Sequence, residues 1–308
     1  MNFSAPEPVQ AGGRARRVDR LMTPVIMACG YSVILFVVMI FVFLGSEGFA
    51  ALGEVPLGQL FAVRWYPIEA YFGLLPLIGG SLLVTFGAAL FSVPVGVLSA
   101  VYIAEIAPRW MREILKPVIE ILGGLPSVVL GFLGILVLSP FLRQLFNLPT
   151  GLTALAGSLL LGAIAIPTIV SVAEDALDSV PRSYRDASLA LGATNWQTIW
   201  RVTLPAARSG VLTAVMLGIG RAIGETMTVM MVTGNAAVLP EGLGALFAPV
   251  RTLTATIAAE MGEVASGSVH YHVLFFIGIV LFLIALVVNV TASLLTQRRE
   301  SRSERMLS

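Results

Sequence analysis

From position 22 to position 44 the chain carries no Asp, Glu, Lys or Arg, and five further runs are similarly apolar, one of them interrupted by two charges. A hydrocarbon core about 30 Å thick takes about 20 apolar helical residues to cross. Backbone in lipid must close its hydrogen bonds within the segment. The chain is therefore expected to be an all-α polytopic membrane protein with six transmembrane helices. Spans are expected at 22–44, 77–104, 121–142, 152–173, 209–233 and 273–296. Two of the runs are too long for one span. The second is begun near Leu77, and the fourth near Leu152, outside the turn Asn147-Leu148-Pro149-Thr150-Gly151. Residues 1–21 and 297–308 are polar tails, and 174–208 is a long polar connection. The first run exceeds the 7–15 apolar residues of a cleavable signal and is read as an uncleaved span.

Placement of charge fixes the expected orientation. With both termini in the cytoplasm, one side receives Arg14, Arg16, Arg17, Arg20, Arg109, Arg112, Lys116, Arg182, Arg185, Arg201, Arg208, Arg298, Arg299, Arg302 and Arg305. The other receives Arg64, Arg143 and Arg251, fifteen basic residues against three. That asymmetry follows the positive-inside rule, and Trp65, Trp110, Trp196 and Trp200 all fall outside the spans, where interfacial aromatics belong. A charged fraction of 12%, against about 25% in soluble domains, agrees with the membrane class. A net charge of +1 gives no footprint for nucleic acid. Cys29 is the only cysteine, so no intrachain disulfide or cysteine-cluster metal site can form. No glycine-rich phosphate loop ending in Lys-Ser or Lys-Thr is present, so the chain is not itself an ATPase.

The interrupted run is the fifth: Gly218-Ile219-Gly220-Arg221-Ala222-Ile223-Gly224-Glu225-Thr226-Met227-Thr228. Charges inside a span are costly and mark function by default. On one continuous helix Arg221 and Glu225 share a face and pair at i, i+4. Arginine suits an oxyanion because its planar fork matches tetrahedral oxygens and stays charged when desolvated. Glu225 would moderate that charge until an anion displaces it. Gly218, Gly220 and Gly224 permit close approach to the backbone, and Thr226 and Thr228 add hydroxyl donors. The plainer reading is an ion pair that only locks two helices together. Pro94, Gly123-Gly124-Leu125-Pro126-Ser127 and Pro167 are expected to interrupt the second, third and fourth spans. Such breaks either line a path or serve as kinks.

The connection 174–208 holds a second pattern. It is read as two short amphipathic helices. The first starts near Pro181 and stops at Gly192 in left-handed geometry; the second is capped by Thr194 or Asn195 and ends before Pro205. Asp186, Ala187, Ser188, Gly192, Val202, Leu204 and Pro205 follow the order acidic-Ala-small, Gly, aliphatic, Leu-Pro. This resembles the EAA loop of binding-protein-dependent ABC importer permeases, with Asp for the usual Glu, Ser for the second Ala and Val for Ile. Within that family the chain is similar to phosphate permease subunits of the PstC type. That likeness rests on Trp65-Tyr66-Pro67, Phe72-Gly73-Leu74-Leu75-Pro76, Glu105-Ile106-Ala107-Pro108, Gly124-Leu125-Pro126-Ser127-Val128-Val129, Gly220-Arg221-Ala222-Ile223-Gly224-Glu225-Thr226-Met227 and the stretch from Arg251 to Tyr271.

The resemblance implies a type I ABC importer permease (MetI-like) fold in the bacterial inner membrane. It implies ATP-driven phosphate import by alternating access, with no cofactor in this subunit. It also implies a second permease subunit, two cytosolic ATP-binding subunits docking on the loop, and an extracytoplasmic phosphate-binding protein. Import of another oxyanion, sulfate or molybdate, and gradient-driven secondary transport are the alternatives. The latter often shows inverted repeats, and no internal repeat is evident. Lesser candidates are His270 and His272, expected as ordinary interfacial histidines rather than metal ligands. Ser127 lacks a histidine in a neighbouring span to activate it. Glu260 and Glu263 are expected on the solvated face of a short outer helix.

Overall fold

The charge-free runs fold as helices, but side-chain partners rather than hydropathy decide where several of them start, stop or break. The computed structural model describes residues 13–304. Residues 1–12 and 305–308 of the two tails, Arg305 among them, lie outside the described residues. In chain order the elements are α1 (Gly13–Glu54), α2 (Leu57–Leu60), a hairpin of β1 (Trp65–Tyr66) and β2 (Tyr71–Phe72), and α3 (Leu75–Val101) ending in a π turn to Ile106. Then follow α4 (Arg109–Gly123), α5 (Ser127–Leu133), a π turn, α6 (Ser139–Leu145) and α7 (Ala154–Asp178). The connection folds as α8 (Arg182–Ala190), α9 (Asn195–Thr198), a π turn and α10 (Leu204–Ala206). Finally come α11 (Arg208–Gly224), α12 (Met227–Val232), α13 (Leu253–Glu260) and α14 (Val269–Glu304).

Among the described residues five helical segments are long and apolar enough to cross a membrane: Met22–Glu54, Leu75–Ile106, Ser127–Leu145, Ala154–Asp178 and Val269–Thr291. A sixth arises if Asn195–Ala206 and Arg208–Gly224, bent by 72°, count as one span. The first span differs from the expected 22–44: α1 runs on through Glu47 to Glu54. Its last turns pack on α14, with Ala51 fully buried in a cluster that includes Leu274 and Ile277. Its two carboxylates grip His272, Glu54 at 3.0 Å and Glu47 at 3.4 Å.

The third span also differs. The charged segment before it is helix α4, and the expected start at Ile121 falls inside α4 rather than at a span boundary. Here α4 is amphipathic and lies along half of α7. Arg112 meets Asp178 at 3.6 Å, Lys116 meets Glu174 at 2.8 Å and Asp175 at 3.2 Å, and Gly123 reaches Pro167. The apolar span begins only at Ser127, after Gly124-Leu125-Pro126. Pro126 cannot donate and biases Leu125 out of helical geometry. Pro94 and Pro167, by contrast, sit inside continuous helices. Close packing holds those helices together there. A Cβ on Gly96 would lie 2.7 Å from Ile169, and one on Gly162 would lie 2.7 Å from Phe91. In membrane helices neighbouring elements compensate the group that proline frees.

The central helix is α7, more deeply buried than the other spans and capped at its start by Thr153, whose hydroxyl accepts from the Ala156 N–H. Running antiparallel to it, α11 sets Gly210 against Ala176 and Gly218 against Ile169. Beyond α12, Thr233 reaches Gly157. The α11–α12 unit therefore traverses the whole of α7. Residues 224–226 lie near the level of its midpoint.

Candidate functional site

At that midpoint the fifth span is broken. Helix α11 ends at Gly224, Glu225 is extended (φ −69°, ψ 129°), and α12 begins at Met227. The break separates Arg221 from Glu225, so the expected i, i+4 pair does not form: among the described residues no ion pair joins them. Thr228 supplies the physical reason. Its N–H donates to Glu225 Oε1 at 3.3 Å, so the carboxylate caps the first turn of α12, and its hydroxyl lies 3.3 Å from the same oxygen. The same hydroxyl lies 2.9 Å from Ser127 O at the start of α5. Thr254, in the first turn of α13, donates to Glu225 O at 3.1 Å. Three helix starts, those of α5, α12 and α13, thus gather around one interruption.

Arg221 points elsewhere. Its Nη1 donates to Thr168 Oγ1 of α7 at 3.1 Å, and its Nη2 donates to Gly123 O at the end of α4 at 2.9 Å. A guanidinium has five N–H donors, so capacity remains for a ligand. The remaining donors lie on an exposed face with Leu217 and Gly224. A Cβ built on Gly220 or Gly224 would meet nothing within 4 Å. A full charge at mid-span does not face lipid tails. This face therefore meets another protein surface or lines an aqueous path.

The predicted residues divide. Thr228 is fully buried and organises the break, whereas Thr226 donates only to Gly224 O, at 3.2 Å. Sequence reasoning missed the contacts that Thr168, Gly123 O and Thr254 make here, because contacts between spans leave no local pattern.

The connection 174–208 forms the arginine-rich end of the bundle. Gly192 takes φ +82°, which only glycine adopts cheaply. Thr194 forms a capping box with Gln197 on α9. The second helix does not stop before Pro205. It continues through a π turn into α10, where Pro205 falls in the first turn and needs no donor. Asp186 and Ala187 are exposed, Ser188 hydrogen-bonds Thr198 Oγ1 at 3.0 Å, and Val202 and Leu204 are half-buried. A groove of about 460 Å³ opens here, lined by Ala187, Ser188, Leu191, Gln197 and Val202.

At the opposite end Glu260 is not on a solvated face. It binds Arg251 at 2.7 Å, His270 at 2.8 Å and Trp65 Nε1 at 3.2 Å. His270 and His272 hold different carboxylates and do not converge.

Residues 92–301 match the family described as "Binding-protein-dependent transport system inner membrane component". A "Probable ABC transporter permease protein YqgH" of Bacillus subtilis is 40% identical, covering 97% of this chain and 98% of that protein. A "Phosphate transport system permease protein PstC" of Mesorhizobium japonicum is 33% identical over 86% of this chain and 85% of that protein. The "PstC 1" protein of Mycobacterium tuberculosis is 36% identical over 76% and 75%. Among solved structures, a bacterial alginate ABC transporter superposes with a TM-score of 0.64 at 16% identity, covering 92% of this chain and 96% of that one. The MetNI methionine ABC transporter does so with a TM-score of 0.56 at 20% identity, covering 76% and 99%.

Proposed function

The chain belongs to the inner-membrane components of binding-protein-dependent ABC transport systems, and from that premise we propose that it is the membrane-spanning subunit of an ATP-driven importer of inorganic phosphate. One observation carries this reading. A guanidinium stands at mid-span beside the helix break, tied to Thr168 and Gly123 O and open on its remaining side. Relatives named as phosphate permeases support the choice of ligand.

In this reading phosphate takes the free donors of Arg221, whose planar fork presents parallel N–H groups to two oxygens. Glu225 does not wait in an ion pair to be displaced. Its carboxylate fixes the start of α12, and Gly220 and Gly224 leave the approach to Arg221 free of side chains. Both termini lie in the cytoplasm, with the exposed end of the 182–205 segment around Gly192 facing two ATP-binding subunits. A second, related permease subunit covers the face bearing Leu217, Gly220, Arg221 and Gly224. A phosphate-binding protein delivers the ligand at the end that carries Arg64, Arg143 and Arg251. Movement of the docking segment shifts α11 against α7, and the site opens alternately to the two sides.

The test is radiolabelled phosphate uptake by cells carrying Arg221→Gln, with membrane levels of the assembled complex followed in parallel. Uptake is expected to collapse while assembly persists; normal uptake would end the proposal. Competition with sulfate and molybdate, each in excess, is expected to leave uptake of the unaltered protein intact.

A further inference from the structure

Glu105 ends the second span in the segment Glu105-Ile106-Ala107-Pro108, and nothing in the transport reading above uses it. Its side chain is nearly buried, 9% exposed, and its carboxylate receives Arg185 of α8. The contact is forked. Arg185 Nη2 lies 2.6 Å from Oε1, and Nε lies 3.2 and 3.3 Å from the two oxygens. The same guanidinium donates to Leu177 O of α7 at 2.9 Å and to Val180 O at 2.7 Å. One side chain of the docking helix thus holds the ends of α3 and α7 together.

Its neighbours do nothing comparable. Among the described residues Arg182 and Asp186 make no ion pair, and only Ser179-Val180-Pro181 joins α7 to α8. A three-residue joint of that kind bends readily. Without a cross-tie, a push on α8 would be absorbed there. Charge-assisted forked bonds resist such bending because they fix orientation as well as distance. Partial burial keeps them largely free of salt screening.

We propose that Arg185, gripped by Glu105, is a positioning residue that makes α8 move as one piece with the ends of α3 and α7, so that motion of an ATPase bound at the loop reaches the spans. The inference rests on the reading of 182–205 as the ATPase-docking segment, but it is independent of the transported ligand.

The experiment uses the complex purified with its ATP-binding subunit, in a Cys29→Ser background that carries Leu217→Cys as a reporter on the face of α11 that meets the second permease subunit, where labelling follows the opening of that contact. Maleimide labelling of this chain is measured with and without ATP. With Arg185 intact, ATP is expected to change the labelling rate. In Arg185→Ala that ATP-induced change should shrink about tenfold or more, within the usual range of coupling between sites, while the ATPase stays bound and still hydrolyses ATP. Glu105→Gln, which keeps the shape but weakens the grip, should move the change in the same direction. Arg185→Lys should lose less than Arg185→Ala. An undiminished response in both Arg185→Ala and Glu105→Gln would overturn the proposal. Loss of the ATPase from both variants would do the same, since it would mark a docking or folding role. If the unaltered chain retained no ATPase, the docking reading would fail, and this inference with it.

Discussion

Two arginine–glutamate combinations sit in this chain, and they behave in opposite ways. Arg221 and Glu225 are four residues apart and do not touch. Arg185 and Glu105 are 80 residues apart and meet at 2.6 Å. The first lies at mid-span, where the helix that would have paired the charges is broken and each charge is handed to neutral partners. The second lies at the arginine-rich end, where both charges are largely enclosed and directed at each other. Closeness in sequence produces a pair only if the backbone between stays helical. A paired arginine is committed to structure. An arginine held by a hydroxyl and a carbonyl keeps donors for something else.

Variants at three of these residues would break or sharpen this contrast. The largest effect belongs to Arg221→Gln, for which phosphate uptake should fall about thirtyfold or more, the usual loss when one partner of a desolvated charge contact is removed, with little change in apparent Tm. Glu105→Gln should reverse that pattern in stability. It weakens a nearly buried pair and should cost about 1–3 kcal/mol, seen as a lower apparent Tm of the purified protein. Glu225→Gln should be milder still, since an amide oxygen can still accept from Thr228. Uptake is expected to drop no more than about threefold, a loss within the usual range for an N-cap. A loss as deep as that of Arg221→Gln would mean that the two charges do meet during transport, and the contrast would collapse.

The smallest effect concerns Lys116, whose pKa is raised chiefly by its hydrogen bond to Glu174, with desolvation opposing and Asp175 reinforcing. Raised above its ordinary 10.5, the ammonium contributes stability that is fully present below that value and lost as pH climbs through the higher folded-state value. The Tm difference between the unaltered protein and Lys116→Gln should therefore stay constant through neutral and mildly alkaline pH. It should close only above 10.5.

Much of the architecture was legible because lipid imposes long uncharged runs. The Gly192 turn and the Thr194 cap were legible too, since each has a local chemical cause. What sequence could not show came from distant partners. Glu47 and Glu54 fell outside the expected first span, yet α1 stays helical through them, and both carboxylates meet His272, far along the chain. The charged segment between the expected second and third spans finds its partners, Glu174, Asp175 and Asp178, on another helix. The break at Glu225 was invisible for the same reason: Gly220, Arg221 and Gly224 fit a helical face, and Thr228 and Thr254 define the interruption only through contacts between elements. Pro94 and Pro167 misled in the other direction. Proline signals a break only where packing fails to supply a substitute.

The bond from Arg221 to the Gly123 carbonyl bears on how quickly such a protein could work. An empty site with a bare guanidinium would hold its first anion strongly and release it slowly. Here two protein dipoles, Thr168 Oγ1 and Gly123 O, already hold part of the resting charge. An arriving anion takes only the donors left over, and so meets a guanidinium whose field is already partly spent. In the proposed importer, weak holding at mid-membrane would favour fast turnover and leave the scavenging of scarce ligand to the delivering partner.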